Sequence, residues 1–358
     1  MKNINLNFSI PFLSGVKIND KILLAKNLAT MIEAGLPLTR ALSVIERQAR
    51  NKKFKETVQG LSDDVNRGEA LSVAMEKRPK VFSRLFISMV KAGEESGSLA
   101  KSLRSVGEQL EKTHQLAKKI RGAMLYPAII LTVMIAIGVL MLIYVVPTLT
   151  DVFRELNVQL PLSTRIIIVL SDFLKNHFLI VAGMVVVVAV AISYVLKTVR
   201  GRQAYHNLLL HIPVISGITK ETNSARTART ISSLLSAGVD FLIATRITED
   251  VVQNVYYKEV LRKASLQIEK GKPISEVFLA EEWLYPAFVG EMASIGEETG
   301  KLGEMFKNVA DFYENEVEQK TKDMSTIIEP FLMVIIGIGV GIFAISMLSP
   351  IYSLVDSI

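Results

Sequence analysis

The sequence predicts an all-α integral membrane protein with two homologous cytoplasmic six-helix bundles and three transmembrane helices. Three observations carry this. Ala128–Val146, Phe178–Leu196 and Phe331–Ser349 are each nineteen residues without a charge. Positions 28–147 repeat at 231–350 with a constant offset of 203. Apolar residues elsewhere follow a helical period, and β-rich runs with hairpin turns are lacking. Half of the 358 residues are hydrophobic, which also fits a soluble globule. The partition of charge between crowded and empty stretches is what separates the two cases.

Each uncharged run covers about 30 Å as a helix, the thickness of a bilayer core. Pro127 and Pro147 bracket the first, and Pro330 and Pro350 bracket the third. Tyr126, Tyr144, Tyr194 and Tyr352 stand near span ends, where amphipathic rings favour the interface. Lys118, Lys119 and Arg121 precede the first span, and Lys197, Arg200 and Arg202 follow the second. The bias of positive charge toward the cytoplasm then places the N-terminus inside and the C-terminus outside. The expected order is an arm at 1–18, a first bundle at 19–125, a span at 126–147 and an external loop at 148–177. A second span at 178–196, a second bundle at 197–328, a third span at 330–350 and a tail at 351–358 complete it. Met1–Gly15 has no apolar run long enough for a signal peptide.

Three matches define the repeat inside the bundles. Met31–Leu36 resembles Leu234–Val239, Gly68–Ser72 resembles Gly271–Ser275, and Met89–Leu99 resembles Met292–Leu302. Pro127 and Pro147 match Pro330 and Pro350 at the same offset. Each copy is a helical block followed by a span, and the middle span lets both copies run in parallel. Expected helices in the first block are Asn19–Ala34, one opening at Pro37, Phe54–Val65, Leu71–Met75, Phe82–Val90 and a long one from Leu99 toward Pro127. Asn19 or Asp20 can cap the first, and Gly35 can end it. In the second block they are Ala225–Ala237, Phe241–Val251, Tyr256–Ile268, Ile274–Leu279, Pro286–Ile295 and Leu302–Ile328.

Residues 1–125 carry 22 basic and 12 acidic side chains, net +10; residues 197–328 carry 16 and 18, net −2. The basic first block suits anionic lipid or an acidic partner, although positive-inside bias alone would also produce it. Nucleic-acid recognition motifs are absent. With no cysteine, thiol chemistry and Cys-ligated zinc are excluded. Gly296–Lys301 is a failed phosphate loop: three residues separate its glycines, Leu302 follows its lysine, and Glu297 and Glu298 would repel phosphate. His114, His177, His206 and His211 lack metal-ligand spacing. The spans hold no ionisable residue at mid-depth, unlike proton relays and ion-coupled carriers. Catalytic, cofactor and metal sites are therefore not expected.

The sharpest local feature is the doubled corner Gly93, Glu94, Glu95, Gly97 and Gly296, Glu297, Glu298, Gly300. Its glycines allow a tight loop with positive φ. Glu95 or Glu298, with the hydroxyl of Ser96 or Thr299, can cap the next helix. A purely structural corner, partner docking and a divalent cation all remain open. Gly337 and Gly341 have the GxxxG spacing that allows close packing of membrane helices.

Together these residues resemble the GspF/PilC family, the inner-membrane platform proteins of type IV pilus and type II secretion machines. The resemblance rests on Ala34–Leu38, Gly68–Ser72, Gly93–Gly97, Tyr126-Pro127, Val146-Pro147, Leu160–Thr164, Ala237-Gly238, Gly296–Gly300, Glu329-Pro330 and Pro350–Tyr352. It implies a non-enzymatic scaffold that couples a hexameric assembly ATPase to insertion of pilin or pseudopilin subunits. It also implies contact with other inner-membrane alignment components and homo-oligomers, most simply dimers. The short N-terminal arm is more like members serving type IVb pili. Phe82-Ser83 departs from members with Pro after the aromatic residue. The rival expectations are a transporter or channel subunit built from parallel repeats, which would need a polar path through its spans, and a ligand-binding membrane enzyme or sensor.

Overall fold

The structure, a computed structural model, describes residues 15–155, 160–213 and 215–355. Most of the expected arm and the end of the tail lie outside them. All of the regular structure among the described residues is helical. The first repeat holds α1 (Ile18–Glu33), α2 (Leu38–Gln48), α3 (Lys52–Asn66), α4 (Leu71–Glu76), α5 (Arg84–Glu95) and α6 (Leu99–Leu140). A π-helical turn (Met141–Val145) leads into α7 (Val146–Glu155), then come α8 (Leu162–Val195) and α9 (Val199–His211). The second repeat holds α10 (Ile215–Ser236), α11 (Phe241–Val251), α12 (Val255–Ile268), α13 (Ser275–Ala280), α14 (Ala287–Thr299) and α15 (Leu302–Val355).

Helix boundaries follow local chemistry. Asp20 accepts the Lys17 amide at the start of α1. Asn51, Asp240 and Asn254 cap α3, α11 and α12 through their side-chain oxygens. Gly35 and Gly238 take φ of 83° and 84° at the turns after α1 and α10. The departure at Ser83 is local: its hydroxyl accepts the Phe86 amide as the cap of α5, where Pro286 precedes α14. The N-terminal half of α10 carries Lys220, Thr222, Asn223, Ser224 and Arg226, a polar stretch that concealed it from an apolar-period reading.

The described residues form two compact units, one taking the chain up to Lys118 with Leu209–Val317 and the other Lys119–Leu208 with Glu318 onward. The first unit contains α1–α5 and α10–α14 with the first turns of α6 and α15, up to Lys118 and Val317. Leu24, Leu28, Leu42, Leu61, Leu71, Phe82, Phe86 and Met89 fill the core of the first repeat. Leu234, Ala237, Val239, Ala244 and Ile247 of the second repeat join that cluster, so the two repeats share apolar core. Around the shared core, Gln109 Nε2 donates to Thr230 Oγ1 at 3.2 Å, Ser233 Oγ donates to Gln109 Oε1 at 2.9 Å, and Arg84 pairs with Asp250.

Three helices are long and apolar enough to cross a membrane; the second unit holds their apolar parts, whose side chains are largely exposed. That surface belongs in lipid. Expectation and structure differ in two places. Pro127, Pro330 and Pro350 lie inside α6 and α15, and Pro147 lies inside α7, so none of them ends a helix. Near a bilayer, lost helical hydrogen bonds have no water to replace them, which favours continuing the helix past a proline. The expected loop at 148–177 is mostly helical. Its α7 and the first half of α8 pack Val146 and Ile168 against Met347, Thr164 Oγ1 donates to Ser346 O at 2.5 Å, and Ser171 Oγ donates to Leu142 O. The helical path of α8 breaks at His177 (φ −123°, ψ 24°), immediately before the apolar run at Phe178.

Candidate functional site

The doubled corner is built by the last turn of α5 or α14 against a short helix of the same repeat. α4 begins after Ala70, which supplies no side-chain cap. Its free N-terminal amides are met by Glu94, 23 residues further along: Leu71 N donates at 2.5 Å, Ser72 N at 3.0 Å and Ser72 Oγ at 2.5 Å. Glu297 repeats this at α13, accepting from Ile274 N at 2.6 Å, Ser275 N at 3.2 Å and Ser275 Oγ at 2.6 Å. A carboxylate at a helix N-terminus satisfies orphan amides and opposes the helix dipole. Charge-assisted bonds of this kind are about twice as strong as neutral ones.

The first glutamate of each corner, rather than the second, is therefore the cap, and it caps an earlier helix. Ser96 Oγ donates to Ala92 O and shares a bond with Ser98 Oγ, and Thr299 Oγ1 donates to Ile295 O, so neither hydroxyl caps the following helix. The last turn of α5 or α14 aims its inward carboxylate across the bundle, leaving the second glutamate outside. Glu95 and Glu298 are exposed. Glu95 lies with Ser98, Lys101, Ser105, Ser236 and Gly238 on an open cavity of about 430 Å³ between the repeats.

The glycines split into two roles. Gly97 and Gly300 take φ of 66° and 70°. Gly93 and Gly296 are helical and allow close approach: a Cβ on Gly93 would sit 2.5 Å from Ser102 Cβ, and one on Gly296 would sit 2.9 Å from Leu302 Cα. Among the described residues, no group of three His, Asp or Glu gathers to hold a metal. Gly337 and Gly341 face open space: among the described residues, nothing lies within 4 Å of an added Cβ on either.

Residue-by-residue reading missed two paired features. Ser72 and Ser275 complete the corner, although their shared offset was visible. Lys26–Glu111 and Arg229–Glu314 are the same ion pair in the two copies, also at offset 203. Burial opposes the charge of Arg229, and the hydrogen bonds it donates to Glu314 and Asp311 more than offset it, raising its pKa.

A family model described as type II secretion system (T2SS), protein F matches residues 24–147 and 227–350, once for each repeat. The chain belongs to the type II secretion system protein F family. Within that family it is similar to a protein named type IV pilus assembly protein PilC from Thermus thermophilus, 35% identical over all of this chain and 88% of that one. A PilC of the same description from Myxococcus xanthus is 32% identical over 98% of this chain and 84% of its own. A type II secretion system protein F from Xanthomonas campestris is 31% identical over 93% of this chain and 82% of its own. The doubled family match gives the internal repeat a second, independent footing.

Proposed function

We propose that this protein is a non-enzymatic inner-membrane platform that couples a cytoplasmic assembly ATPase to insertion of pilin or pseudopilin subunits into a growing fibre. The observation that carries this reading is the construction of the heads. Both repeats share one core, and each sends a continuous helix, α6 or α15, toward an apolar span. A head moved by another protein would pass that motion to the spans along a helix. The printed names of the relatives, pilus assembly and type II secretion, support the same assignment. Under it the N-terminus and both heads are cytoplasmic and the C-terminus is periplasmic, as the lysine and arginine distribution suggests. The corners would serve chiefly as structure, with Glu95 and Glu298 left for docking.

The test is made in the host. Rigid cross-links between the heads and the ATPase, with hydrolysis left intact, are expected to stop fibre growth. Continued growth would refute the coupling role. Topology has its own test: a C-terminal alkaline phosphatase fusion is expected to be active, and an inactive, full-length fusion would reverse the orientation.

A further inference from the structure

The two repeats meet through different faces. The first repeat uses α5 and α6, with Arg84, Gln109 and Lys112, and the second uses α10 and α11, with Thr230, Ser233 and Asp250, and one side of α15, where Glu314 meets Lys112. Among the described residues, α14 packs on α13, and no contact of α14 with α1 or α2 matches in extent that of α5 with α10 and α11. The contact is therefore head-to-tail, not two-fold. An interface of that kind leaves one complementary face open at each end.

Both open faces carry its mark. On the first repeat, Met31, Ala34, Leu36 and Val44 are partly or fully exposed, while their counterparts Leu234, Ala237, Val239 and Ile247 are buried. On the second repeat, Ile295 is 46% exposed and Phe312 is 47% exposed. Phe312 is the counterpart of Gln109, which is 2% exposed at the internal junction. The Phe288 ring lies tilted against Phe312, with centroids 5.0 Å apart, and extends the apolar strip. Charge also matches. The strip is flanked by exposed Glu291 and Glu298, and α2 presents exposed Arg40 and Arg47.

We propose that the α14–α15 face of one chain docks on the α1–α2 face of a second copy, repeating between chains the junction already formed within one. The proposal is independent of the platform role. The offset supplies its register: Gln109 beside Thr230 within the chain becomes Phe312 beside Asn27 between chains, and Arg84 beside Asp250 becomes Ala287 beside Arg47.

The chain has no cysteine, so introduced thiols are unambiguous. Full-length Asn27→Cys and Phe312→Cys chains, carrying different tags, are co-expressed in membranes and treated with a short thiol cross-linker. A mixed dimer linked between the two tags is the expected product. No mixed dimer, a Phe312→Cys homodimer as the main product, or Phe312→Cys linked mainly to another protein would each overturn the proposal. Glu291→Lys with Glu298→Lys on the Phe312→Cys chain is expected to lower the mixed product roughly tenfold. Arg40→Glu with Arg47→Glu on the Asn27→Cys chain should restore it. Failure of that rescue, with Trp283 fluorescence showing both chains folded, also overturns it.

Discussion

The two repeats share a plan and differ in the chemistry of their interiors. Phe54, Phe82 and Leu24 in the first become Tyr257, Tyr285 and Thr227 in the second. The second interior gains hydroxyls and pairs them: Tyr257 OH donates to Leu284 O at 2.6 Å, and Thr227 Oγ1 lies 3.0 Å from Tyr285 OH. Burial pushes both phenols well above their ordinary pKa, so they stay neutral. A charged pair has reversed as well. Arg78 lies over Gly60 and pairs with Asp64, whereas Lys263 at the Gly60 position pairs with Glu281 at the Arg78 position. The capping glutamate, its serine partner and the corner glycines are kept in both copies. Backbone requirements and the Lys26–Glu111 and Arg229–Glu314 ion pair thus recur at the fixed offset, while interior packing and the pairs around Arg78 and Lys263 differ between the copies.

The largest expected effects fall on what the copies share. Glu94→Ala and Glu297→Ala should each lower stability by about 2–3 kcal/mol, because two amides and a hydroxyl lose a charged acceptor. Glu95→Ala and Glu298→Ala should stay within about 0.5 kcal/mol. Thermal unfolding of the purified full-length protein, followed by its single tryptophan, Trp283, checks both. Because the repeats share core, Glu94→Ala is expected to move the Trp283 transition although it lies in the other repeat.

The next effect separates the interiors. Phe82→Tyr should cost about 1–3 kcal/mol, since Leu24 occupies the position where Thr227 receives Tyr285. Tyr285→Phe should cost only about 1 kcal/mol. Equal losses in a thermal scan would mean that the first interior finds its own partner for a hydroxyl. Gly97→Ala and Gly300→Ala, both at positive φ, should each cost about 1–2 kcal/mol and match one another.

The smallest effect is in pH dependence. A hydrogen bond from Arg78 holds the Asp64 carboxyl below the usual aspartate range, and Gln267 stands at its counterpart. A depressed folded pKa gives stability that is complete above the unfolded aspartate pKa and is lost as pH falls through the folded value. Asp64→Asn should therefore lower the unfolding midpoint near neutral pH, and the gap from the parent protein should close in acid. A gap that is constant with pH would show that the ion pair is not its source.

Much of this architecture is legible in the residues. The uncharged runs, the offset and the helix-breaking glycines give helices, spans and repeats, because each depends on local pattern. Glu94 was visible as part of a doubled motif, but its partner lies 23 residues earlier across a fold, and no spacing rule joins them. The course of α6 through Pro127 was hidden for a different reason: proline signals a break in water, and its meaning changes where the surroundings favour an intact helix. The head-to-tail junction was hidden because Gln109 is an ordinary polar residue until Thr230 and Ser233 stand beside it.

The first span carries a π-helical turn at Met141–Val145 where the third is α-helical, and the lipid-facing aspects of the two are unlike each other. Phe343 and Met347 turn toward protein, while their counterparts Leu140 and Tyr144 are 55% and 67% exposed. A hydrophobic helix sliding through the bilayer would meet a tyrosine-bearing stripe on one span and a purely aliphatic one, around Ile342 and Ile345, on the other. Such a visitor would find two distinct berths, although the gene encodes one motif twice.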